Sequence, residues 1–198
     1  VSAIKETGAA ITLSLGEWPR EDYELWYRAG ADRYLLKHET ANPKLFAELR
    51  PGLTLENRMK CLRDLREIGF QVGSGAMVGV PGQTVEDLAD DLLFCRELEV
   101  DMAGFGPFIS HPDTPLAHTP AGSIELSKRV VATARIVLRE THLPATTSLA
   151  VLDAEARIDL YHCGANVIMP DVTPAPYRYS YTIYPGKGAG DDSIPQAM

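Results

Sequence analysis

Strands and helices alternate along this chain with a regularity that leaves few folds open. The apolar runs "AITLSLGE", "RYLLKHE", Val72 to Val80, "DMAGFGPFI", "PATTSL" and "GANVIMP" read as six strands. Helix-like segments separate them: Pro19 to Ala29, Thr54 to Gly69, Thr84 to about Glu99, Ser123 to about Arg139, and Ala154 to His162. Strands alternating with helices imply a parallel sheet with the helices outside it. No G-x-G-x-x-G follows the first strand, so a dinucleotide-binding reading is weak. A (β/α)8 barrel needs eight strands. The expectation is therefore an α/β fold: an incomplete (β/α)8 TIM-type barrel of six parallel strands with outer helices, lacking its first two units. Residues 1–180 would form this partial barrel and residues 181–198 a C-terminal extension.

The stretch "SGAMVGVPGQTVEDLADDLL" is the clearest single unit. A glycine-rich apolar run stops at a Pro-Gly turn and passes directly into an acidic amphipathic helix. Thr84, with Asp87 three residues on, reads as a helix cap and its partner. Gly73, Gly75 and Gly79 weaken a strand unless something approaches its backbone closely.

Charge and cysteine usage exclude several classes. A formal net charge of -8 argues against a nucleic-acid groove, which needs a basic face. No apolar run is long enough to span a bilayer, and the expectation is a protein without a signal peptide. Cys61, Cys95 and Cys163 are far apart, and none forms a C-x-x-C pair. Cys61 and Cys95 read as buried helix residues of a protein in a reducing cytoplasm.

In a barrel, chemistry sits at the C-terminal strand ends, on inward-pointing residues and the loops that follow. Alternation along "RYLLKHE" places Tyr34, Leu36 and His38 on the helix-packed face, with His38 a core histidine. Leu35, Lys37 and Glu39 fall on the inner face. Lys37 and Glu39 then form either a strand-end salt bridge or an inward pair available to a ligand. In the first strand, Thr12 and Ser14 share one face and Ile11, Leu13 and Leu15 the other. Thr146, Thr147 and Ser148 offer hydroxyls at a later strand end, suited to an anion. Met169 ends the last strand, either as a soft pocket wall or as core filling. Arg58, one turn into its helix, either reaches over the barrel rim or is solvated.

The blocks "LSLGEWPREDY", "GADRYLLKHETANP", "SGAMVGVPGQT", "GFGPFISHPDTPLA", "PATTSLA" and "GANVIMPDVTPAPYR", in this order, resemble the radical S-adenosylmethionine maturases of [FeFe]-hydrogenase. Biotin synthase and methylornithine synthase are more distant relatives of the same type. The resemblance covers nearly the whole chain. It implies a barrel whose [4Fe-4S] cluster reductively cleaves S-adenosylmethionine. The 5'-deoxyadenosyl radical then acts on a small substrate in the barrel interior, during assembly of the hydrogenase active-site cluster. Ser14, Glu39 and Arg58 are implied as cofactor contacts. Thr12, Lys37, Thr147 and Met169 are implied as walls of the substrate cavity, with Tyr181 and Tyr184 closing its far end. The strand glycines would let the cofactor approach the backbone.

The cluster-binding C-x-x-x-C-x-x-C of such enzymes is absent, so the cluster ligands are expected outside this chain and no metal site within it. Lys37 stands where relatives commonly carry Arg, which keeps the charge but loses the bidentate fork. Ser193 and Gln196 stand where two accessory-cluster cysteines would fall, so no accessory cluster is expected. The partners implied are a small-molecule substrate and other hydrogenase maturation proteins, in the cytoplasm, with neither nucleic acid nor membrane. Two alternatives stay open: another radical enzyme of the methylornithine synthase or biotin synthase type, and a non-catalytic barrel fragment that binds an anion or a partner.

Overall fold

Period-two burial builds the sheet. In the strand Gln71–Val78, the residues Val72, Ser74, Ala76 and Val78 share one face and are fully buried, while Gln71 and Met77 on the other face are not. The computed structural model describes residues 1–178 and Tyr184. Its elements run α1 (Ser2–Lys5), β1 (Thr12–Leu13), α2 (Arg20–Arg28), β2 (Arg33–Leu35), α3 (Pro43–Leu49), α4 (Leu55–Ile68), β3 (Gln71–Val78), α5 (Val85–Glu97), β4 (Met102–Pro107), α6 (Ile124–Leu138), α7 (Thr147–Leu152), α8 (Ala154–His162) and α9 (Ala175–Arg178). Among the described residues no helix is long and apolar enough to cross a membrane.

The strands form one parallel sheet ordered β1-β2-β3-β4, as in the chain. Among the described residues the sheet is open and has four strands, so the expected count of six is not met there. Where a fifth and a sixth were expected, single parallel bridges remain: Met102 with His142, and Pro144 with Val167. Two features keep these segments short. Pro144 has no N–H to give to a ladder, and the chain turns helical at Thr147. "PATTSL" is thus a bridge followed by a helix rather than a strand.

The helices begin and end where their capping residues dictate. Thr54 accepts from the Asn57 N–H to start α4, and Gly69, at a φ of 109°, closes it. Thr84 and Asp87 form a reciprocal capping box at the start of α5. Asn42 caps α3 with Pro43 in its first turn, a helix the alternation of strands and longer helices did not disclose. Each such cap is worth about 1 kcal/mol.

The core under the sheet is aromatic at the β1–β2 end. Tyr23, Trp26, Tyr34 and Phe70 meet edge-on or stacked, the Tyr23 and Tyr34 rings 5.2 Å apart. Both tyrosine hydroxyls donate to the carbonyl of Gly16, Tyr34 at 2.9 Å and Tyr23 at 3.3 Å. Burial pushes the Tyr34 hydroxyl up to about 12. These buried phenols fix the loop that leaves β1, and that loop carries Glu17.

Candidate functional site

A carboxylate and a guanidinium organise the C-terminal ends of β1 and β2. Glu17 accepts from Arg58 Nε at 2.5 Å through one oxygen and from Asn57 Nδ2 at 2.5 Å through the other. Arg58 Nη1 donates to the carbonyl of Lys37 at 2.6 Å, and the guanidinium lies 5.5 Å from the centre of the Phe46 ring. Both side chains are buried. Two of the guanidinium's three nitrogens are therefore used by the protein. Nη2 makes no hydrogen bond to a described residue, which leaves that nitrogen available to donate.

Glu39 sits in a turn that its residue type does not favour. Its φ is 67°, and Thr40 N–H donates to the His38 carbonyl at 2.8 Å, closing a three-residue turn around it. Such backbone costs on the order of 1–3 kcal/mol and persists only where the surroundings impose it. The strand hydrogen bonds impose it in part: Glu39 N–H donates to Gly75 O, and Met77 N–H donates to Glu39 O. The Glu39 side chain is nearly buried, and its Oε1 accepts from Arg50 Nη2 at 2.6 Å. Glu39 Oε2 has no described partner. The expected Lys37–Glu39 pair is not formed, because the left-handed turn takes Glu39 out of strand parity and hands it to Arg50. Lys37 is half-buried, and its ammonium makes no hydrogen bond or ion pair with a described residue. The residues on the opposite parity behave as expected: Tyr34, Leu36 and His38 are buried.

The strand glycines face the inner side, but most answer to protein neighbours. A Cβ on Gly75 would lie 2.0 Å from the Gly104 carbonyl oxygen, and one on Gly79 would lie 2.7 Å from Gly122 Cα. Close approach of neighbouring backbone requires both glycines. Gly104 differs: a Cβ there would meet the Pro144 ring at 3.8 Å and the Ser74 carbonyl oxygen at 4.0 Å, ordinary van der Waals contact that a methyl group fits. A hollow of about 260 Å³ lies along the inner side, lined by Thr12, Leu35, Gly73, Met102, His142 and Val167. A hollow of about 450 Å³ at the opposite strand ends, bordered by Arg33, Arg96, Asp101 and Arg139, touches none of the candidate residues.

The remaining candidates are scattered around this frame. Thr12 lines the hollow; Ser14 is exposed beyond the end of β1 and makes no hydrogen bond to Glu39 or Arg58. Leu15, expected on the packed face, is 53% exposed because β1 has already ended. Thr147 is half-buried at the start of α7, while its neighbours Thr146 and Ser148 bond each other at 3.3 Å and sit against Gly106. Met169 is exposed two residues after the Val167 bridge. Tyr184 is partly buried, and Tyr181, Ser193 and Gln196 lie outside the described residues. Glu17 and Arg50, which organise the site, were not singled out from the sequence. A carboxylate directly after a strand-ending glycine was the available signal for Glu17.

The cysteines do not converge. Cys61 and Cys95 are buried apart in α4 and α5, and burial pushes the Cys95 thiol well up. Among the described residues no three His, Cys, Asp or Glu side chains gather to hold a metal ion, so an iron–sulfur cluster does not fit these residues.

A parallel, chain-ordered β/α sheet with a charged site at its C-terminal strand ends is the arrangement of β/α barrels, and residues 3–95 match the Radical SAM superfamily. Over 94% of its length the chain is 56% identical to the [FeFe] hydrogenase maturase subunit HydE of Thermotoga maritima, covering 54% of that protein. It is 24% identical over 163 residues to 3-methylornithine synthase of Methanosarcina acetivorans, covering 46% of it. Among solved structures, methylornithine synthase superposes with a TM-score of 0.76 at 23% identity, over 84% of this chain and 49% of that one. The maturase HydG of Carboxydothermus hydrogenoformans superposes with a TM-score of 0.68 at 20% identity, over 81% of this chain and 39% of that one. The chain spans about half the length of the curated relatives it matches.

Proposed function

We propose that this chain is part of a radical S-adenosylmethionine enzyme that works in assembling the [FeFe]-hydrogenase active-site cluster. The 56% identity to HydE supports the activity. The observation that supports the site is the pair of unfilled hydrogen-bonding atoms at the strand ends. Arg58 Nη2 is a donor, held in place by Glu17 and the Lys37 carbonyl; Glu39 Oε2 is an acceptor on the adjoining turn. An amino acid carboxylate suits the first, and an ammonium or ribose hydroxyl the second. When bound, S-adenosylmethionine and a [4Fe-4S] cluster held by residues outside those described supply a 5'-deoxyadenosyl radical. The chain's own part is to bind and orient. Glu39 and Arg58 hold the cofactor, with Ser14 at its edge. Thr12, Lys37, Thr147 and Met169 wall a substrate cavity on the inner face, with Tyr181 and Tyr184 at its far end, and Lys37 supplies the cation for an anionic substrate group.

In this reading the open sheet is completed into a barrel by the parts of the protein outside this chain. The partners are a small-molecule substrate and other hydrogenase maturation proteins in the cytoplasm, and no accessory cluster is bound. The test is reductive cleavage of S-adenosylmethionine by the complete protein with its cluster reconstituted. The reading expects 5'-deoxyadenosine and methionine, and restored hydrogenase activation when added to extracts lacking the maturase. Cleavage without activation would move the chain to another radical enzyme, of the methylornithine synthase or biotin synthase type. Absence of both would leave a barrel segment that only binds.

A further inference from the structure

Helix α5 carries two carboxylates that turn inward rather than to solvent. Asp87 and Asp91 are one helical turn apart, and both are buried. Burying a carboxylate without full pairing is costly, so its partners say what it is for. Asp87 Oδ1 accepts from Asn42 Nδ2 at 2.8 Å. Asp91 Oδ1 accepts from the Ala41 N–H at 2.5 Å and lies 3.3 Å from His38 Nε2. Neither Asp91 Oδ2 nor His38 Nε2 has a hydrogen-bond partner among the described residues, so the approach of Asp91 to the His38 ring is a close polar contact rather than a hydrogen bond. Apart from the Thr84 cap that Asp87 Oδ2 completes, these contacts fall within residues 38–42, the segment that forms the turn around Glu39.

Asp91 touches that turn on both sides, at the residue before Glu39 and at the second residue after it. His38 is held further by Ser74, whose hydroxyl accepts from the His38 N–H at 3.2 Å, meets its Nδ1 at 2.9 Å and donates to the Leu36 carbonyl at 3.0 Å. The His38 ring packs edge-on to Phe94, 4.9 Å away. Nothing in the local sequence favours a glutamate at a φ of 67°. The strand bonds to Gly75 and Met77 fix the backbone of Glu39 itself, and Asp91 fixes what leads into and out of it.

We propose that Asp91 is a positioning residue: from the far side of the sheet it sets the direction of the Glu39 carboxylate, through His38 and the Ala41 amide. This rests on the reading of Glu39 as a cofactor contact. Asp91 itself never touches the cofactor. Its oxygen holds the turn, and the turn aims the acid.

A double-mutant cycle on the complete protein separates the two claims. S-adenosylmethionine is titrated calorimetrically into wild type, Glu39→Ala, Asp91→Leu and the double variant. The leucine fills the same space without an acceptor. The expected result is an affinity about tenfold or more weaker for Asp91→Leu. The double variant should then be no weaker than Glu39→Ala, because Asp91 acts through Glu39. Asp91→Asn, whose amide oxygen still accepts from Ala41, should recover most of the affinity. In the cofactor-free protein, amide exchange at Ala41 should speed up in Asp91→Leu while the first turn of α4 is unchanged. If the leucine variant does not fold, Asp91→Ser, too short to reach the Ala41 amide, is held to the same criteria. Unaltered affinity on losing Asp91, or losses that add in the double variant, would overturn the proposal and leave the site standing. Unaltered affinity in Glu39→Ala would overturn the site reading itself.

Discussion

Arg58 Nε lies 2.5 Å from Glu17 Oε1, with both side chains buried at the C-terminal end of the sheet. The two residues are 41 positions apart and are brought together by the β1 loop and the first turn of α4. Removing one member of a buried pair leaves the other charge uncompensated. Glu17→Ala is therefore expected to destabilise the complete protein by about 3–5 kcal/mol. Glu17→Gln, which keeps an acceptor for Arg58, should lose less. Urea denaturation of the three proteins measures this, and a loss below about 1 kcal/mol for Glu17→Ala would mean that solvent pairs with Arg58 in its place.

Lys37→Met is expected to abolish product formation while leaving uncoupled cleavage of S-adenosylmethionine measurable. The motive is that Lys37 has no described ion-pair partner, whereas Arg58 and Glu39 are anchored separately. Product and 5'-deoxyadenosine are quantified side by side. Loss of both would place Lys37 in the cofactor site, and retention of both would make it dispensable for substrate.

The two inner-face glycines should respond differently to alanine. Gly75→Ala puts a Cβ 2.0 Å from the Gly104 carbonyl at a φ of 145°, so soluble folded protein should be largely lost. Gly104→Ala meets no atom closer than 3.8 Å. Its melting temperature should stay within a few degrees of wild type, and any loss should appear in substrate or cofactor affinity instead. A large drop in melting temperature for Gly104→Ala would show that the contact with Pro144 does not admit a methyl group.

These contrasts mark what the sequence could disclose. Signals carried within a few residues read correctly: Thr54 and Gly69 bound α4, the Thr84–Asp87 box starts α5, and strand parity buries Tyr34, Leu36 and His38. Asn42–Pro43 is the same kind of local signal for α3. Parity failed at Glu39 because a left-handed turn interrupts the alternation, and no residue type there signals it. "PATTSL" misled because β-branched threonines suit a strand, while the packing of buried Leu149 and the short reach after Pro144 favour a helix. The Glu17–Arg58 and Asp91–Ala41 contacts join residues 41 and 50 positions apart, which periodicity cannot pair.

Acid should weaken the grip of α5 on the Glu39 turn. The Asp87 carboxyl is held below its usual range, first by the Thr84 N–H and then by the Asn42 amide. A carboxyl whose folded pKa is depressed contributes stability above its unfolded value of about 4, and loses it as pH falls through the lower folded value. Asp87→Asn should therefore be less stable than wild type at neutral pH, with the gap closing below about pH 4. Thermal unfolding across that range tests it; a gap constant with pH would mean that the charge of Asp87 is not what stabilises the cap.

The most direct test of the site is the affinity of the complete, cluster-loaded protein for S-adenosylmethionine, measured by calorimetry for wild type, Glu39→Ala and Arg58→Ala. Hydrogen bonds to charged groups contribute about 1.5–3 kcal/mol, so each variant should bind roughly 10- to 150-fold more weakly than wild type. Wild-type affinity in both variants would remove Glu39 and Arg58 from the cofactor site and contradict the account.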